Sequence, residues 1–136
     1  MTLAWDDTLA TGSTVIDHQH RELIAQVASL GLAMKQGKGR DQINKLLDFL
    51  GQYVVRHFRD EERLMEEAAC PAAAANKEAH QQFLAKYAEL RKRLDSTGWS
   101  VTLVLEIYDM LSKWLVAHIK GIDARLRECH PVQVAS

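Results

Sequence analysis

The chain has 136 residues, 47% of them hydrophobic and 26% charged, with two prolines and a formal net charge of -1. That composition belongs to one helical globular domain with a buried core and argues against a disordered chain. So even a charge carries no basic stripe, which argues against nucleic acid or an anionic membrane surface as a partner, and no apolar run approaches a membrane span.

The first seven residues, Met1-Thr2-Leu3-Ala4-Trp5-Asp6-Asp7, lack a basic start and an apolar segment. No targeting segment is therefore expected, and the predicted location is cytoplasmic. Residues 1–17 hold Trp5, Gly12, Ser13 and Thr14 without a period and read as an extended arm, with Asp17 as the expected N-cap of the first helix. That helix, about 18–37, carries His20, Leu23, Ile24, Val27, Leu30 and Met34 on one face and stops at Gly37-Lys38-Gly39.

The second helix, about 41–67, repeats Ile43, Leu46, Leu47, Leu50, Val54, Leu64 and Met65 at three- and four-residue steps. His57 and Glu61 fall in register with that stripe, four apart and on one face. Pro71 ends the segment. A third helix, about 72–94, aligns Asn76, His80, Phe83, Tyr87, Leu90 and Leu94, and Asp95-Ser96-Thr97-Gly98 makes the turn. The fourth, about 100–128, aligns Val104, Ile107, Leu111, Trp114, Leu115, His118 and Ile122. Four amphipathic helices on short loops predict an all-α, antiparallel up-down-up-down four-helix bundle over residues 1–136, preceded by the arm.

Each predicted helix sets one histidine in its buried stripe: His20, His57, His80 and His118. Glu61 shares the stripe of His57, and Asp123 follows His118 by five residues. A buried carboxylate is costly unless it is paired or coordinates a metal. One histidine on an apolar face is ordinarily a satisfied core residue; one on every helix, with two carboxylates, points to a non-haem metal site, because imidazole suits iron, zinc and copper and a carboxylate can bridge two cations. Gly121, between His118 and Asp123, suggests a local widening of the helix that brings both side chains to the metals. His18 points away from His20 and reads as solvated, as do Glu62, Glu66, Glu67 and the Arg91-Lys92-Arg93 run; His130 in the tail is not expected to coordinate. Cys70 and Cys129, without CxxC spacing, read as reduced thiols.

These residues resemble the single-domain bacterial hemerythrins over nearly the whole chain. The likeness runs through Trp5 in the arm, Ile16-Asp17-His18-Gln19-His20, His57-Phe58-Arg59-Asp60-Glu61-Glu62-Arg63-Leu64-Met65, His80-Gln81-Gln82-Phe83, and Trp114-Leu115-Val116-Ala117-His118-Ile119 ending in Asp123. It implies two iron ions joined by an oxo or hydroxo bridge and by Glu61 and Asp123, with His20 and His57 on one iron and the third and fourth helices, through His80 and His118, on the other. The family carries an HxxxH pair on the third helix, and here its first member is Asn76. A neutral amide is a much poorer iron ligand than imidazole, so that position holds iron weakly, holds a water or stays open. Trp114, Phe83, Tyr87, Leu23 and Met65 read as core, and the resemblance implies that some of them line a small-molecule pocket.

The leading function is reversible binding of dioxygen for storage, delivery or sensing. One alternative is a di-iron enzyme that reacts with peroxide, nitric oxide or nitrite through a more open iron; another is a signalling or interaction module with a degraded site. No protein partner is indicated by the sequence.

Overall fold

The computed structural model describes residues 4–37 and 40–129, except the side chains of 122–124. Four α-helices follow one another: α1 (Thr14–Lys35), α2 (Arg40–Glu67), α3 (Ala73–Thr97) and α4 (Val101–Cys129). No strand occurs among the described residues. Helix α1 packs on α2 and α4, α2 on α3, and α3 on α4, which is the neighbour order of an up-down-up-down bundle.

The arm is more ordered than expected. A 3-10 turn, Asp7–Leu9, is capped by Asp6, whose carboxylate accepts from the Thr8 amide and hydroxyl, and Leu9 is buried against the bundle. The Arg21 guanidinium lies 4.7 Å from the Trp5 ring centroid. Helix α1 also starts earlier than the expected Asp17 cap. Ser13 is the N-cap, accepting from the Ile16 amide at 3.2 Å. Asp17 sits inside the first turn, where a negative charge suits the helix dipole, and reaches back to the Thr11 amide at 2.7 Å and hydroxyl at 2.8 Å.

Where α2 ends, Ala69 adopts a left-handed φ of 52°, the Ala69 amide donates to Glu66 and the Cys70 amide to Met65. That paired pattern closes a helix terminus and satisfies its last carbonyls, and Pro71 then prevents continuation. Gly37 (φ 65°) after α1 repeats the Ala69 position, its amide donating to Met34, and Gly98 (φ 83°) after α3 also takes a positive φ, its amide donating to Leu94. Lys38, Gly39 and His130 lie outside the described residues. The expected widening at Gly121 does not occur: α4 is regular α-helix through that residue, which is exposed and has nothing within 4 Å of where a Cβ would stand.

The cysteine expectation is overturned as well. Cys70 and Cys129 form a disulfide with their Cα atoms 5.3 Å apart. Chain direction explains it, since α2 and α4 finish at the same end of the bundle. There Met65, Cys70 and Leu126 form a small apolar cluster, separate from the main core and flanked by Ala68, Ala72 and Ala73.

Candidate metal centre

The apolar stripes turn polar at one level of the bundle. His20 on α1, His57 and Glu61 on α2 and His80 on α3 are at most 1% exposed, and His118 on α4 is 9% exposed. Glu61 stands at their centre. Its Oε2 lies 3.3 Å from His20 Nε2 and 3.4 Å from His57 Nε2, while its Oε1 lies 2.9 Å from His80 Nε2 and 3.0 Å from His118 Nε2. One carboxylate therefore faces two pairs of imidazoles, one pair per oxygen.

Hydrogen bonds behind the rings fix which nitrogen faces inward. Gln19 Nε2 donates to Asp60 Oδ2 at 2.7 Å, which leaves Gln19 Oε1 to accept from His57 Nδ1 at 2.8 Å. On the other side Glu62 Oε2, which can only accept, takes a bond from His80 Nδ1 at 2.8 Å. With Nδ1 protonated, both rings present an Nε2 lone pair to the centre. Burial lowers the proton affinity of His20 and His118 below the usual histidine range, so these rings are neutral at neutral pH. Burial pushes Glu61 upward, but the surrounding imidazoles, His118 foremost, outweigh it and hold the carboxyl well below its usual range.

The result is a buried carboxylate ringed by four imidazole nitrogens at 2.9 to 3.4 Å. His20 Nε2, His57 Nε2 and Glu61 Oε2 have no hydrogen-bond partner, and His80 Nε2 stands 3.4 Å from His118 Nε2. Such a cluster is stable around cations. Two donors at right angles about a transition metal with bonds of about 2.1 Å sit about 3 Å apart, close to the separations found at each Glu61 oxygen. The donor atoms of His20, His57, Glu61 and His118 all lie within 4.8 Å of one another, and His80 extends the group beyond Oε1.

Aromatic rings close the cluster off from water. Phe58 stacks on His80 with centroids 3.8 Å apart, and Trp114 stacks on His118 at 4.4 Å. Trp114 also borders an apolar cavity of about 10 Å³, room for one molecule the size of water, with Leu23, Val27, Leu50, Val54, Phe83, Leu111 and Leu115. Tyr87 is half-buried beside Phe83, and Met65 belongs to the disulfide cluster.

All four sequence-selected histidines and Glu61 are thus brought together, and Asn76 is buried with them, donating from Nδ2 to Glu61 Oε1 at 3.2 Å. The side chain of Asp123 lies outside the described residues. His18 is exposed, as expected, on a surface groove shared with Tyr53 and Arg56. Two functional residues were missed. Glu62, expected to be solvated, is half-buried because it follows Glu61 around α2 and meets α3; Gln19 is buried behind His57. Arg91 is likewise half-buried, paired with Asp48 at 2.9 Å, whereas Arg93 pairs with Glu106 on the surface. Glu66 and Glu67 are exposed.

Fold and site together define an all-α bundle in which a carboxylate and one histidine from each helix are positioned where a metal could be held. The Hemerythrin HHE cation binding domain matches residues 11–128. Bacteriohemerythrin of Stenotrophomonas maltophilia is 39% identical over 89% of this chain and 76% of its own, and Bacteriohemerythrin of Pseudomonas aeruginosa is 37% identical over 90% and 77%. Myohemerythrin of Sipunculus nudus is 28% identical over 90% of this chain and 89% of its own. The chain belongs to the hemerythrin family, whose domain binds a di-iron centre. Among the described residues no helix is long and apolar enough to cross a membrane.

Proposed function

We propose that this chain is a non-haem di-iron protein that binds dioxygen reversibly, for storage, delivery or sensing. The observation that carries the reading is the division of labour at Glu61, whose Oε2 faces His20 and His57 and whose Oε1 faces His80 and His118. In this reading His20, His57, His80, His118 and Glu61, together with Asp123, would hold the two irons. The bound iron pair supplies reversible two-electron chemistry toward dioxygen.

The protein's own share is to hold and to shield. Gln19 and Glu62 orient the His57 and His80 rings, so that no reorganisation accompanies ligand arrival. Phe58 and Trp114 cover two ring faces and keep the surroundings of the centre apolar. Aliphatic and aromatic lining favours binding over turnover, because turnover requires a positioned proton donor. Asn76 supports the second reading, a di-iron enzyme acting on peroxide, nitric oxide or nitrite: an amide in place of an imidazole leaves one iron position more open. A cytoplasmic location is part of the proposal, and there thiol reductants would oppose the Cys70–Cys129 bond.

Visible spectra of the iron-loaded protein, reduced without air and then exposed to it, separate the readings. A stable oxygenated spectrum that reverses on removing dioxygen supports carriage or sensing. Immediate, irreversible conversion to the oxidised spectrum, with many cycles of peroxide consumed, supports the enzyme.

A further inference from the structure

The two halves of the centre are not equivalent. On the Oε2 side, the ring of His57 leans on Gln19, a neutral amide whose nitrogen is already committed to Asp60. On the Oε1 side, the ring of His80 leans on the carboxylate of Glu62. The same side carries an opposing feature: the amide nitrogen of Asn76 donates to Oε1, the oxygen that this half uses. A hydrogen bond to a carboxylate oxygen occupies a lone pair and draws electron density away from anything else bound there. A carboxylate behind an imidazole acts in the other direction, since it raises the basicity of the far nitrogen.

We propose that Glu62 is a positioning residue for the metal centre: it holds His80 in the Nδ1-protonated form, strengthens Nε2 as a donor, and so offsets the weakening that Asn76 imposes at Glu61 Oε1. The inference rests on the reading that Glu61 and its imidazoles hold two irons. Local geometry supplies the cradle. Glu62 is one residue past Glu61 on α2, so it turns from the core toward α3, and Phe58, four residues earlier on the same face, stacks flat on the same ring with an interplanar angle of 6°. The carboxylate holds the edge of His80 and the phenyl ring holds its face. Glu66, one turn further along α2, is exposed and serves as the matched control.

Glu62→Gln keeps the shape and an acceptor oxygen but removes the charge. With iron counted after challenge by increasing chelator, the variant should release the more weakly held of its two irons at roughly 10- to 100-fold lower chelator concentration than the parent protein, the range typical of a lost outer-shell partner. Glu66→Gln should match the parent. Asn76→His removes the amide donor and, four residues before His80, adds an imidazole on the same face. In that background Glu62→Gln should cost little. Equal loss in both backgrounds, or no loss in either, overturns the proposal.

A second measurement needs no metal. Nitrogen-15 ring shifts of the metal-free protein should place the His80 proton on Nδ1 in the parent and on a mixture of both nitrogens in Glu62→Ala. An unchanged tautomer in Glu62→Ala contradicts the positioning role. A parent protein that shows the Nδ1 form yet retains fewer than two irons contradicts the di-iron reading instead.

Discussion

Ten residues along the helices separate two layers of opposite character. Leu30, Leu47 and Leu90 stand ten residues from His20, His57 and His80, and Ile107 stands eleven from His118, so each helix contributes one side chain to each layer. At 1.5 Å per residue the layers lie about 15 Å apart. In the first layer all four side chains are fully buried aliphatics, whose removal from water stabilises the bundle by about 2 kcal/mol each. The second layer buries a carboxylate and four imidazoles, which favours folding only when protons or cations join them. The apolar end supplies stability; the histidine end consumes some of it to hold a site open.

The disulfide gives the largest expected effect, because it clamps the histidine end. It closes a loop with a sequence separation of 59, which in the chain-entropy account is worth about 4 kcal/mol. Denaturant unfolding of the metal-free protein should therefore show a lower midpoint after reduction, and Cys129→Ser should reproduce that shift without reductant. Next in size, Leu30→Ala in the aliphatic layer should cost about 3 kcal/mol while leaving iron per chain unchanged. A loss of iron in that variant would mean that the two layers are coupled and the comparison fails.

Acid should act on the histidine layer alone, with a smaller and graded effect. Burial lowers His20 and His118 below the ordinary value of 6.5, so the unfolded chain takes up protons first. Stability of the metal-free protein should be full above about pH 6.5 and decline below it. Glu61, held well below 4.5, adds a further decline below that value. Unfolding midpoints across this range check both sign and window, and an increase in stability on acidification would contradict the account.

The histidine layer was legible in the sequence because the helical period projects one face of each helix, and His20, His57, Glu61, Asn76, His80 and His118 all fall on such faces. What lies behind a ring is set by the neighbouring helix, its rotation and its register, which one helix's period does not contain. Glu62 read as solvated for that reason, although its place directly after Glu61 turns it toward α3. Gln19 was overlooked in the same way beside His20. The disulfide had a signal that spacing concealed: in an up-down-up-down bundle the ends of the second and fourth helices meet, and Cys70 and Cys129 stand at those ends. Ser13 displaced Asp17 as cap because serine and aspartate compete on nearly equal terms, and burial of Ile16 draws the helix start earlier.

Glu61 is proposed as one carboxylate shared by two cation positions, which iron counting in the parent protein and in Glu61→Ala can decide. The account predicts two irons per chain in the parent and loss of both in the variant, with helix content by circular dichroism unchanged. One iron or none in the reconstituted parent, or two irons retained by Glu61→Ala, would contradict it.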